Sequence, residues 1–153
     1  MISKEKKNLI IVRLFPEEDL LKELEGVCQK HRVITAIVIG GIGMLKDVEL
    51  RYFKQTCPLR QDAKPTVRKG EYSSMQFEES LELISLSGNI SKQENGYNLH
   101  LHAGLAAQGK QMVGGHLGRA KVAVTAEIAL LKSKIKIVRR EEKTTGLLGL
   151  FFK

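Results

Sequence analysis

The stretch 97–117, YNLHLHAGLAAQGKQMVGGHL, decides how this chain is read. Two strand-like runs, 97–106 and 110–117, flank the pair Gln108-Gly109, so the stretch reads as an antiparallel hairpin. Side chains at i and i+2 of a strand share a face, so His100 and His102, separated by Leu101, point the same way. Whether His116 joins them depends on the parity of the loop. A two-residue loop, Gln108-Gly109, pairs 107 with 110, sets His102 opposite Gly115 and sends His116 to the other face. A three-residue loop, Ala107-Gln108-Gly109 with Gly109 left-handed, pairs 106 with 110. His100 then stands opposite His116, with His102 as its diagonal neighbour. A bulge at Gly114-Gly115 restores the shared face in the first case. Convergence of the three imidazoles therefore requires an odd loop or a bulge, and a regular ladder with a two-residue turn excludes it.

Three neutral imidazoles suit zinc first and other divalent transition metals after it. With no fourth protein ligand in view, one coordination position stays open to water or substrate. That is the pattern of catalytic and ligand-binding metals rather than of closed structural ones. The competing reading is a set of strand histidines satisfied by hydrogen bonds. His31, between Lys30 and Arg32 at a helix end, is expected to interact with the helix C-terminus instead.

Outward from the hairpin, Leu9–Phe15 reads as a strand. Pro16 followed by Glu17, Glu18 and Asp19 has the chemistry of a helix start, and Leu20, Leu21, Leu24, Val27 and Cys28 continue at helical spacing. The expectation is a helix over about residues 17–30. Val33–Ile39 is β-branched enough for a buried strand, Gly40, Gly41 and Gly43 punctuate it, and Leu45–Phe53 forms the next strand. Residues 54–69, with Pro58 and Pro65, read as a long loop. Strands follow at 70–77, 81–91, 119–132 and 134–140, and a short apolar strand ends the chain over 146–153. Gly88-Asn89 and Glu94-Asn95-Gly96 mark turns. With no internal repeat and no linker, the expected architecture is one α+β domain over residues 1–153, mostly antiparallel β-sheet, with residues 1–8 a flexible basic N-terminus.

Of 153 residues, 42% are apolar and 27% charged, ordinary values for a globular protein, which argues against disorder. Aromatics are 5% and Trp is absent, so a base-stacking platform is not apparent. The net charge is +8. Arg51–Lys69 carries six positive residues against Asp62, and Arg119–Lys143 carries eight against Glu127, Glu141 and Glu142. Such segments attract polyanions with steep salt dependence. From charge alone a solvated basic surface is the simpler account; the candidate DNA or anion contacts are Arg51, Lys54, Arg60, Arg68 and Lys69. No apolar run approaches a membrane span, and Leu9–Val12 is too short for a signal peptide. A cytoplasmic protein without a membrane partner is expected. Cys28 and Cys57 lack CxxC spacing and argue for neither disulfide nor thiolate site.

Gly40-Gly41-Ile42-Gly43 follows a strand as a phosphate loop does, but what comes next alternates like a strand, so a bend between strands is the better account. Gly114-Gly115 beside His116 leaves room for close approach of backbone or ligand. Glu127, in the apolar run Val122–Leu131, reads as a buried carboxylate in need of a partner. It is either an acid/base or outer partner of the metal, or one half of a salt bridge with Arg13 or Arg140. The tail 147–152 reads as a core or interface strand.

His100-Leu101-His102, Gly114-Gly115-His116-Leu117 and Thr125-Ala126-Glu127-Ile128 together resemble the plant-and-prokaryote conserved (PPC) domain, found with AT-hooks in plants. Further pieces match in order: Arg13-Leu14 before the acidic helix start, Gly41-Ile42-Gly43 before a strand, Glu82-Leu83-Ile84-Ser85-Leu86-Ser87-Gly88-Asn89-Ile90, and Arg140 ahead of Thr145-Gly146. The resemblance runs from about residue 9 to 152. It implies a mixed fold around an antiparallel sheet, a homotrimer, zinc on the three matching histidines, and structural roles for Gly114, Gly115, Arg13 and Arg140. It also implies DNA-associated or regulatory work, although no Arg-Gly-Arg-Pro AT-hook is present. The implied fold is similar to that of acetolactate decarboxylase, a three-histidine zinc enzyme, at the level of fold alone.

Three functions are therefore expected to compete. The first is a trimeric, metal-binding regulatory protein that binds DNA. The second is a zinc enzyme, a lyase or hydrolase, acting on a small anionic substrate with Glu127 as acid/base. The third is a trimeric scaffold that recruits a partner protein.

Overall fold

The computed structural model describes residues 1–54, 71–107, 109, 111–142 and 146–153. The elements run β1 (Ile2–Lys6), β2 (Leu9–Leu14), α1 (Leu20–Lys30), β3 (Thr35–Lys54), β4 (Glu71–Phe77), β5 (Leu81–Gln93), β6 (Gly96–Ala106), β7 (Val113–Ser133), β8 (Ile137–Glu141) and β9 (Leu148–Phe152). All sheet pairings are antiparallel.

Two long strands carry the architecture. β3 and β7 pair with each other from Thr35–Ser133 to Arg51–His116. On its second edge β3 holds β5 and then β4, while β7 holds β6 and then β2. β6 also pairs with β5, so β3, β5, β6 and β7 close into a ring. Strands of 20 and 21 residues can take part in so many pairings because they bend. The β3–β7 ladder shifts register at Val38/Gly40, Gly43/Leu45, Lys46/Glu49 and Glu49/Leu50, the signature of bulges. The segments expected as two strands broken at Gly40–Gly43, and as separate strands at 110–117 and 119–132, are thus single bent strands. The glycine run lies inside the sheet, where no phosphate loop is formed.

The inner face is filled by alternate residues, among them Ile10, Val12, Leu14, Leu83, Leu101, Leu105, Leu117, Val122 and Leu130, all 2% exposed or less. α1 covers this core with Leu20, Leu24, Val27 and Cys28. The Tyr97 hydroxyl ties the helix end to the sheet by donating toward the Cys28 and Val33 carbonyls, at 3.1 and 2.9 Å. Burial pushes the Cys28 thiol up to about 12, so it is an inert core group.

The helix starts later than the acidic run suggests. Asp19 is the N-cap, accepting from the Lys22 N–H at 3.0 Å. Glu17 has φ +70, and its N–H donates to the Val122 carbonyl, so Pro16–Glu18 form a turn docked on β7. The basic N-terminus, expected to be flexible, contains β1, paired along its length with β2. The Ser3 hydroxyl and Glu5 carboxylate flank the His31 ring at 2.9 and 3.1 Å, and the Lys132 ammonium donates to Glu5 at 2.7 Å. His31 is indeed the residue capping the helix C-terminus, but its side chain locks β1 against α1. Gly88-Asn89, expected as a turn, lies within β5. No helix among the described residues is long and apolar enough to cross a membrane.

Candidate metal centre

In the β6–β7 ladder His102 stands opposite His116, Ala103 opposite Gly115, Gly104 opposite Gly114 and Leu105 opposite Val113. The residues between the last pair, 106–112, form an odd span, and Gly109 has φ +67, the left-handed conformation that only glycine adopts cheaply. The parity required for three histidines on one face is therefore present, with no bulge at Gly114-Gly115. The register differs from the three-residue loop by two positions, so His102, not His100, faces His116, and His100 is the diagonal neighbour. Leu101 and Leu117 point inward to the core and fix the opposite face for the imidazoles.

The three rings are mutual neighbours, with centroids 5.3 Å apart for His100–His102, 5.2 Å for His100–His116 and 5.5 Å for His102–His116. One ligand nitrogen from each lies within 4.8 Å of the others. Tetrahedral zinc, with Zn–N near 2.0–2.1 Å, places its nitrogens about 3.4 Å apart, a gap that small ring rotations close. The donor set fits such an ion. His100 and His116 are held below the ordinary imidazole range, first by burial, then by the Arg139 guanidinium for His100 and by the neighbouring histidines and Arg51 for His116. The neutral imidazole so favoured is the ligand form.

Gly88, opposite Leu101 in the β5–β6 ladder, packs directly against the β6 backbone. It has φ +145, and a Cβ there would lie 2.0 Å from the His100 carbonyl oxygen. Gly115 makes room for a different group: its missing Cβ would be 3.0 Å from the Tyr52 ring. Gly114 is packed as closely, since a Cβ there would lie 3.0 Å from the Ala103 carbonyl oxygen.

Two arginines flank the cluster. Arg51 is the ladder partner of His116 across β3–β7. Its Nε and Nη2 donate to Glu49 at 2.9 and 3.3 Å, and it lies over Gly118, where a Cβ would come within 2.6 Å of Nε. Arg51, Glu49, Tyr72, Ser74 and His116 line an open cleft of about 390 Å³. Arg139, on β8, donates to the Asn89 side chain at 2.6 Å, and Asn89 is the ladder partner of His100.

Of the residues singled out from sequence, the three histidines and Arg51 come together. Glu127 does not join them. It is exposed, opposite Arg13 in the β2–β7 ladder, and eleven residues from His116 along β7, roughly 36 Å of strand at 3.3 Å per residue. A buried acid/base or outer partner for the metal of its own chain is excluded at that position. Arg13 stacks on Phe15, 5.3 Å from the ring centroid. Arg140 is exposed opposite Gly149, on the other face of β8 from the arginine that reaches the cluster. Arg60, Arg68 and Lys69 lie outside the described residues, as does the Lys54 side chain. Arg139, Asn89, Tyr72 and Glu49 are site residues that sequence reasoning missed.

Fold and site define a β-rich domain with a three-histidine cluster facing out from a closed ring of strands. The chain belongs to the Plants and Prokaryotes Conserved (PCC) domain family, whose model matches residues 1–134. It is similar to a candidate DNA-binding protein from Bacteroides thetaiotaomicron, with a TM-score of 0.82 and 24% identity over 99% of this chain and 96% of that one. A plant- and prokaryote-conserved protein of Pyrococcus horikoshii superposes with a TM-score of 0.74 at 28% identity, covering 96% and 93%. The metal-containing protein AF0104 of Archaeoglobus fulgidus gives 0.77 at 25%, covering 99% of both chains. Among curated proteins, the bifunctional protein GlmU of Synechococcus sp. (strain JA-2-3B'a(2-13)) is 30% identical over 141 residues. Those residues are 91% of this chain, which spans about a fifth of that relative's length.

Proposed function

We propose that this chain is a homotrimeric metal-binding protein holding zinc, or another divalent transition metal, on His100, His102 and His116, with the remaining coordination position open to a small anionic ligand. The observation that carries this is the convergence of three ligand nitrogens within 4.8 Å beside a cleft containing Arg51. A bound dication of this kind supplies Lewis acidity: it polarises a carbonyl or lowers the pKa of water. Arg51 would orient the anion and Tyr72, 6.4 Å from the His116 ring, would wall the cleft. The metal-containing character of the Archaeoglobus relative agrees with this reading. The direct test is metal analysis of the purified chain beside its His102→Ala variant.

Assembly as a trimer is supported by the outer face of the sheet. Leu9, Ile11, Ile37, Ile39 and Ile42 are 41–59% exposed, and the Leu9–Leu131–Ile37 row runs across three neighbouring strands. Contiguous exposed apolar surface of this kind marks a protein interface. A cytoplasmic location agrees with the free thiol of buried Cys28.

DNA association is the second reading. It is supported by the net charge of +8 and by the Bacteroides relative described as a candidate DNA-binding protein. On this reading the backbone contacts are Arg51, Lys54, Arg60, Arg68 and Lys69, and binding weakens steeply with salt.

A further inference from the structure

A dication bound by three neutral imidazoles keeps its whole charge, since none of its ligands is anionic. Among the described residues, Arg51 stands opposite His116 in the β3–β7 ladder, and Arg139 is bonded to Asn89, the ladder partner of His100. Among the described residues Glu49 is the carboxylate lining the cleft, and it is already bonded to Arg51. Arg139 donates to neutral oxygens, Asn89 Oδ1 at 2.6 Å and the Leu148 carbonyl at 3.4 Å, and its Nε–H is buried without an acceptor among the described residues. Among the described residues, counting Glu49, a bound dication and the two guanidiniums leave three formal positive charges in excess in a half-buried space.

We propose that an oxyanion, the carboxylate or phosphate group of a small molecule, completes this site, and that metal and anion bind as a coupled pair. The anion takes the open metal position and the N–H donors of Arg51 that Glu49 leaves free, in the forked geometry a guanidinium offers to such groups. Glu49 and Gly118 hold that guanidinium in place, one by its carboxylate and the other by the space it leaves. Arg139 contributes its charge at the His100 side. Neutral ligands, two guanidiniums and one committed carboxylate make a poor site for a metal alone and a good one for a metal with its anion. Coupling is reciprocal: each partner tightens the other by the same factor.

The inference rests on the metal reading above, and one experiment separates the two. Cobalt(II) is titrated into the metal-free protein at constant ionic strength in a non-coordinating buffer with chloride, with inorganic phosphate, with malonate, and with a short DNA duplex. The visible d–d bands report coordination, and affinities are corrected for binding of cobalt by the anion in solution. The expected result is a tenfold or greater gain in cobalt affinity, with altered d–d bands, in the phosphate or malonate arm. A gain with phosphate alone assigns a phosphate ligand, and a gain with malonate alone a carboxylate. In Arg51→Gln the gain falls below twofold while affinity in chloride rises, because a positive charge has been removed; a merely structural arginine would lower affinity in every arm. Equal affinity with and without oxyanion overturns the coupling and leaves the metal site standing. A gain with the duplex alone overturns the small-molecule assignment. No cobalt binding in any arm overturns the metal reading and this inference with it.

Discussion

His102 faces His116 directly across the β6–β7 ladder, while Leu101, its neighbour in the chain, is fully buried on the other side of the same strand. Alternation therefore separates a candidate metal ligand from the folding core within two adjacent residues. His102→Ala removes an exposed side chain, so the metal-free protein should keep its stability within about 0.5 kcal/mol. Its metal affinity should fall more than the 10–100-fold typical of losing an outer partner of a ligand. Leu101→Ala should instead cost about 2–5 kcal/mol of stability. Urea denaturation and metal titration of the two variants measure both quantities.

The tight packing of Gly88 on the His100 carbonyl predicts a second effect. Any side chain at Gly88 meets the His100 carbonyl, and the φ of +145 is unfavourable for residues with a Cβ. Gly88→Ala should force β5 away from β6, lowering stability by about 2–4 kcal/mol and weakening metal binding at temperatures where the variant is still folded. Calorimetry and metal titration check this.

Much of this arrangement was legible in the hairpin sequence, because strand alternation and loop parity are local rules. The i, i+2 spacing of His100 and His102 and the left-handed Gly109 required nothing distant. The register missed by two residues because ladder pairing stops at Leu105–Val113, short of the tightest turn the sequence allows. The glycines at 40–43 looked like a break because bulged strands absorb glycine without ending. Glu127 looked buried because it lies in the apolar run Val122–Leu131, yet Val124 and Leu131 of that run are themselves exposed. Arg139 was hidden for another reason: its contact with Asn89 spans 50 residues, and no local pattern encodes it.

Acid should weaken the attachment of β1. The hydrogen bond from Lys132 holds the Glu5 carboxyl below its usual 4.5, against the opposing effect of burial, with His31 adding to the lowering. A carboxyl whose folded pKa is depressed contributes stability above its unfolded value, and that contribution is lost as pH falls through the lower folded value. The urea midpoint should therefore drop from pH 6 to pH 3, and Glu5→Gln should lower the midpoint at pH 6 and flatten the dependence. An unchanged slope in the variant would remove Glu5 from the account.

The apolar outer face predicts the oligomeric state. Ile37→Lys together with Ile42→Lys places charge on side chains that are 44% and 59% exposed in the single chain. Light scattering should report a trimer for the parent and smaller species for the double variant, with unchanged circular dichroism. A monomeric parent would refute the assembly.

For the DNA reading, gel shifts at 50 and 200 mM salt should show affinity falling about 10³-fold or more if six or more phosphates are contacted. Neutral substitutions at Arg60, Arg68 and Lys69 should abolish the shift at both concentrations. Absence of binding even at the lower salt would eliminate DNA as a ligand.

The measurement that bears most directly on the central claim is metal stoichiometry. The parent chain and His102→Ala are each stripped with chelator, reloaded with zinc, desalted and analysed by mass spectrometry of the metal. One zinc per parent chain and none retained by His102→Ala is the predicted result. A parent chain that retains no metal, or a variant that retains as much as the parent, would contradict the three-histidine site.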